Sequence, residues 1–122
     1  MTDYAIDVSE SANGLCVLFK HDYFSSDNEN GRSLIDKMIE SLDIASDRIY
    51  LIIVTDSAVK LLESSDKFRK LISSVNTTLL DMDSAVFYGV SVDPFVKGSV
   101  HGLNMTEITD EIIESRPDLI IE

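Results

Sequence analysis

The sequence predicts an α/β fold: a three-layer sandwich with a mostly parallel central sheet of about five strands and helices on both faces. Three observations carry this expectation. Residues 49–54 read IYLIIV, an unbroken apolar and β-branched run. Strands covered on both faces look like this, because neither face meets water. Residues 32–45 place Leu34, Ile35, Met38, Ile39 and Leu42 at helical spacing, the pattern of an amphipathic helix. Strand-like and helix-like segments then alternate along the chain, an order that gives parallel sheets with right-handed crossovers.

The elements follow in order. Tyr4, Ile6 and Val8 alternate with polar residues, which predicts an edge strand. Asn13-Gly14 is a turn signal, so this segment and residues 15–20 (LCVLFK) form a candidate hairpin. Residues 21–31 are rich in Asp, Ser and Asn and predict a loop before the helix over 32–45. After the central strand, Ser57 is placed to cap a short helix carrying Ala58, Val59, Leu61 and Leu62. Phe68, Leu71, Ile72, Val75 and Leu79 then share one face of a further helix. Residues 85–90 (AVFYGV) predict the next strand, and 99–101 a short one. Asn104 with Glu107 three residues on is close to a capping box, opening a helix that Pro117 ends. Residues 119–121 predict a last strand.

Composition narrows the function classes. The 122 residues fit one domain and bury a core without disulfides or metal. A net charge of -12 repels phosphate backbones and anionic lipid surfaces, so neither nucleic acid nor membrane is an expected partner. No stretch approaches the ~18 apolar residues that span a bilayer. The opening MTDYAIDVSE has no basic region followed by an apolar one, and a cytoplasmic location is expected.

Chemistry-bearing motifs are sparse. Neither GxxxxGK[ST] nor GxGxxG occurs, and no cofactor is expected. Asn28, Asn30 and Gly31 fit three places of a calcium loop. The place of the bidentate acid holds Lys37, which rejects that loop. A weaker cation site at Asp22, Asp27 and Glu29 competes with a plain solvated loop, the favoured reading. His21 and His101 form no HxH or HExxH pair, so no metal is expected. Asp22 and Asp56 mimic parts of a phosphoacceptor receiver, but no lysine follows the last strand. The one cysteine, Cys16, lies in an apolar strand and is read as a buried hydrophobe rather than a nucleophile.

Parallel sheets bind ligands outside the carboxyl ends of their strands. The candidate ligand-binding edge is therefore His21, Asp22, Asp56, Ser57, Tyr88, Gly89, Ser91, His101 and Asn104. Catalytic and metal-ligating residues are not assigned.

Several ordered segments resemble the DsrE-like sulfur-relay family, especially the C-terminal domain of YedF-like selenium-metabolism proteins. SSDNENGRSLIDKMIESL resembles the family's first loop and helix, and LIIVTDSAVKLLESS its second strand and short helix. There Asp56 stands at an Asn place and Ala58 at a Gly place. NMTEI resembles the Asn-Met-x-x-Ile that opens the last helix. The match spans about residues 15–122. Those relatives carry Cys-Gly-x-Cys at the end of the third strand, where this chain reads Tyr88-Gly89-Val90-Ser91. A sulfur carrier needs a thiolate, which neither hydroxyl replaces. The resemblance thus implies the fold and a non-catalytic binding or assembly subunit linked to sulfur or selenium metabolism. It would be a homo-oligomer or the hetero-complex partner of a related subunit. The contact is expected to include the segment from Phe87 to Phe95, whose rings Phe87, Tyr88 and Phe95 fit the domain's own core equally well. The competing readings are an enzyme that uses Asp56, Tyr88, Ser91 and His101 at the strand ends and a small-molecule sensor of receiver-like or flavodoxin-like type.

Overall fold

Ile49–Val54 forms the central strand β2, as its apolar run requires. The computed structural model describes residues 14–122. Within them, β2 lies between β1 (Leu15–Phe19) and β3 (Thr77–Asp81), with β4 (Val100–Leu103) and β5 (Leu119–Ile121) at the edges. The order is β4-β3-β2-β1-β5, and every neighbouring pair is parallel. This is the α/β three-layer sandwich that the alternating pattern predicts.

The order decides which face each connection covers. From β1 to β4 the chain steps steadily one way, so right-handed crossovers place the intervening helices on one face. These are α1 (Glu29–Ile44), α2 (Leu61–Ser64), α3 (Asp66–Ser74) and α4 (Met82–Tyr88). From β4 to β5 the chain steps back across the sheet, which puts α5 (Met105–Ser115) on the opposite face. The cores agree with this division. Val17, Phe19, Ile52 and Val54 pack with Ile35, Leu62 and Phe68 on the first face. Cys16, Leu18, Leu51 and Ile53 pack with Ile108 of α5 on the second.

Several expectations need correction. The strand expected at 85–90 is helical. Asp81 accepts the backbone N–H groups of Asp83 and Ser84 at 3.0 and 3.2 Å, an N-cap that starts α4. Gly89, at φ +68°, ends it in the left-handed conformation. The third strand lies instead at Thr77–Asp81, so Leu79 belongs to β3 and not to the preceding helix. Helix α1 begins at Glu29, before the expected loop is over. Asn28 caps it by accepting from Gly31 N at 2.9 Å. Gly31 is obligatory there, since a Cβ would sit 1.7 Å from Ser26 O. Ser57 caps nothing; it lies inside a 3-10 turn, Asp56–Lys60. The Asn104–Glu107 capping box is present with both of its bonds. The first arm of the expected hairpin, residues 4–8, lies outside the described residues; β1 is flanked by β2 and β5. Among the described residues, no helix is long and apolar enough to cross a membrane.

Candidate functional site

Parallel pairing brings the ends of β1 and β2 out side by side. Phe19 is in register with Val54, and Phe19 O accepts from Thr55 N at 2.9 Å and from Thr55 Oγ1 at 3.1 Å. The next residues of each strand therefore meet. His21 Nδ1 lies 3.2 Å from Asp56 Oδ2 and 3.4 Å from Ser57 Oγ. The Asp22 backbone N–H donates to Ser57 Oγ at 3.3 Å. Tyr88 reaches in from the last turn of α4 and donates its hydroxyl proton to Asp56 Oδ1 at 3.1 Å.

A device anchored on a buried carboxylate holds Asp56 in place. Asp81 is only 3% exposed, and its Oδ2 accepts from Ser84 Oγ at 2.6 Å. Ser84 Oγ in turn accepts from the Asp56 backbone N–H at 3.1 Å. Ser84 and Tyr88 are one helical turn apart, so one face of α4 grips Asp56 by both backbone and carboxylate. Asp56 itself sits at φ +50°, a left-handed backbone that aspartate adopts more readily than other non-glycine residues, at a cost of up to ~1 kcal/mol.

Further groups complete the cluster. Lys60 Nζ lies 3.5 Å from Asp22 Oδ2 and 5.2 Å from the centre of the Tyr88 ring. The His21 ring stacks on Tyr23 at 4.7 Å, with 3° between planes. Loss of solvent, followed by the bond to the Asp56 carboxylate, raises the Tyr88 hydroxyl above its ordinary pKa. The phenol therefore remains a donor at neutral pH.

The geometry limits the chemistry. In a Ser–His–Asp relay, serine and aspartate hold opposite ring nitrogens. Here both face His21 Nδ1. A proton on Nδ1 donated to Asp56 leaves no base for the Ser57 hydroxyl, so this is not a nucleophilic triad. In the neutral ring this tautomer leaves Nε2 as an acceptor. Beside the cluster opens a cleft of about 360 Å³ whose walls include Asp56, Asp83, Ser84, Phe87 and Met105. It lies where the connection after β3 leaves for one face and that after β4 for the other, the place where open α/β sheets hold ligands.

Five of the nine expected edge residues thus come together: His21, Asp22, Asp56, Ser57 and Tyr88. The other four do not join them. Gly89 is the C-cap of α4, and Ser91 is exposed in the loop beyond it. His101 is exposed on edge strand β4, opposite Leu79. Asn104 is committed to capping α5. Lys60, Tyr23 and Ser84 belong to the site but were not expected. Lys60 stands four residues after Asp56, and Ser84 three after Asp81, spacings that a turn-and-cap reading makes visible.

Two expectations change with this placement. The third strand ends at Asp81, so Tyr88–Ser91 is a helix terminus and not a strand end. A receiver-like or flavodoxin-like sheet runs 2-1-3-4-5, which the observed order excludes. Asp22 faces Lys60 and Asp27 faces Arg32, and among the described residues no three His, Cys, Asp or Glu converge on a metal-sized space. Cys16 is buried, and burial, with Asp118 next, pushes its thiol up to about 11. No family model, curated protein or solved structure matches the chain significantly.

Proposed function

We propose that this chain is a non-catalytic, cytoplasmic binding subunit on a DsrE-like scaffold, with its ligand site at the His21–Asp56–Tyr88 cluster and the adjoining cleft. One observation carries the reading. Asp56 is held in a left-handed backbone conformation by half-buried Ser84, itself bonded to buried Asp81, although its own side chain is largely exposed. Strain kept at an exposed residue marks a site rather than a core. The ligand is small and polar, accepting from Lys60 and donating to His21 Nε2.

The buried, weakly acidic Cys16 suits no sulfur carrier, which favours a subunit that accompanies a thiol-bearing one in sulfur or selenium metabolism. Assembly is favoured by the outer face of α4, where Val86 and Phe87 are 79% and 80% exposed. Phe95 packs instead against the chain's own core, so the contact narrows to Val86 and Phe87.

Native mass spectrometry of protein purified from its own cells tests the reading. The parent should carry a small molecule that His21→Ala and Asp56→Asn both lose while remaining folded. The same load in parent and variants, or no load in the parent, contradicts it.

A further inference from the structure

The other end of the sheet carries a second concavity, of about 470 Å³, walled by Ile72 and Arg69 of α3 and by Pro94, Phe95, Lys97 and Val100. Its size suits a small molecule, and its walls are mainly apolar. The loop wall is preformed. Phe95 N and Val96 N both donate to Val92 O, at 2.8 and 3.1 Å, and Val92 is buried. Lys97 O accepts from Val100 N at 3.0 Å, and Ser99 O accepts from Thr78 N of β3 at 3.0 Å. These bonds brace the loop against itself and fasten it to the sheet, so a ligand meets a surface already shaped.

The charge of this concavity runs against that of the chain. The sequence has 22 acidic and 10 basic residues, yet both charged residues lining the cavity are cations. Arg69 is pinned by Leu62 O at 2.6 Å and by Asp66. Lys97 has no ion pair among the described residues. An apolar slot with an ammonium at its rim that no described carboxylate holds is complementary to a molecule with an apolar body and a single negative charge.

We infer that this cavity binds a small amphipathic carboxylate, its hydrocarbon against Ile72, Phe95 and Val100 and its carboxylate on Lys97. The site is separate from the strand-end cluster and does not depend on it. Apolar burial supplies the affinity, and the ammonium selects the anion. Net charge makes the selection informative: a chain at -12 as a whole attracts amines and repels carboxylates.

Amide chemical shifts of the full chain, titrated in parallel with octanoate, octanol and octylamine at neutral pH and moderate salt, decide the matter. Octanoate should bind tightest of the three and shift Ile72, Phe95, Gly98 and Val100. Lys97→Glu, at an exposed position, should keep the parent's melting temperature and weaken octanoate by about tenfold, the loss expected for one charge-assisted hydrogen bond. Equal binding of octanol, tighter binding of octylamine, shifts away from this cavity, or an unaffected Lys97→Glu would each overturn the inference.

Discussion

The two faces of the sheet are built to different depths. One is layered by four helices and the Asp56–Lys60 turn, and its core runs from Ile35 and Ile39 through Ile52 to Phe68 and Leu71. Among the described residues, the other is covered by α5, whose buried contribution is Ile108. Around that thin cover Ile113 and Ile120 stay exposed. The strand-end cluster is mounted wholly on connections of the thick face. His21 leads toward α1, Asp56, Ser57 and Lys60 form the turn before α2, and Ser84 and Tyr88 belong to α4. A site that holds a residue in a strained conformation needs rigid support, and it stands where the chain is most deeply packed.

The largest effect should come from breaking the thick face. Ile52 is fully buried at its centre. Ile52→Asp places a carboxylate there without a partner and should cost at least ~4 kcal/mol. A denaturation midpoint like the parent's would show that β2 is not the core of the domain.

A smaller effect is expected on the thin face. Cys16→Ala removes one buried sulfur and should cost about 1 kcal/mol in chemical denaturation. The thiol also gives this face a pH signature. Its folded pKa is raised from 9.0 to about 11. Between those values the unfolded chain loses a proton that the folded chain keeps, so the contribution of Cys16 is complete below pH 9.0 and declines toward pH 11. The stability difference between parent and Cys16→Ala should therefore shrink over that range. A difference that stays constant would mean that the thiol is solvated in the folded protein.

How much of this was legible in the sequence depended on what kind of signal each segment carried. β2 is legible to the residue because its six apolar residues are mostly β-branched and the run is too short for a helix. The α5 cap was equally plain, because its two bonds are local. The stretch between α3 and β4 was misread by one element. Leu79 falls in helical step with Phe68 and Leu71, which hid the short strand TTLLD inside a helix. AVFYGV has strand-like composition, yet Val86 and Phe87 point outward from a helix. The correcting signals were present in Asp81, an N-cap residue, and in Gly89, a C-terminal stop. The site residues at β1 and β2 were found because adjacent strand ends meet whatever the order of the rest. Gly89 and Ser91 lie apart from the cluster because their segment is the end of helix α4 and not of a strand, His101 because β4 is an edge strand, and Asn104 because it caps α5.

The central claim is that Asp56 is strained for binding and not for folding, and Asp56→Gly tests it most directly. Glycine adopts φ +50° without penalty, and the exposed contacts to His21 and Tyr88 contribute ~1 kcal/mol or less. Thermal and chemical denaturation of Asp56→Gly should place its stability within about 0.5 kcal/mol of the parent or above it. Native mass spectrometry of the same variant should show the bound small molecule gone. A loss of more than about 1.5 kcal/mol with the ligand still bound would make the cluster a structural fastening and contradict the account.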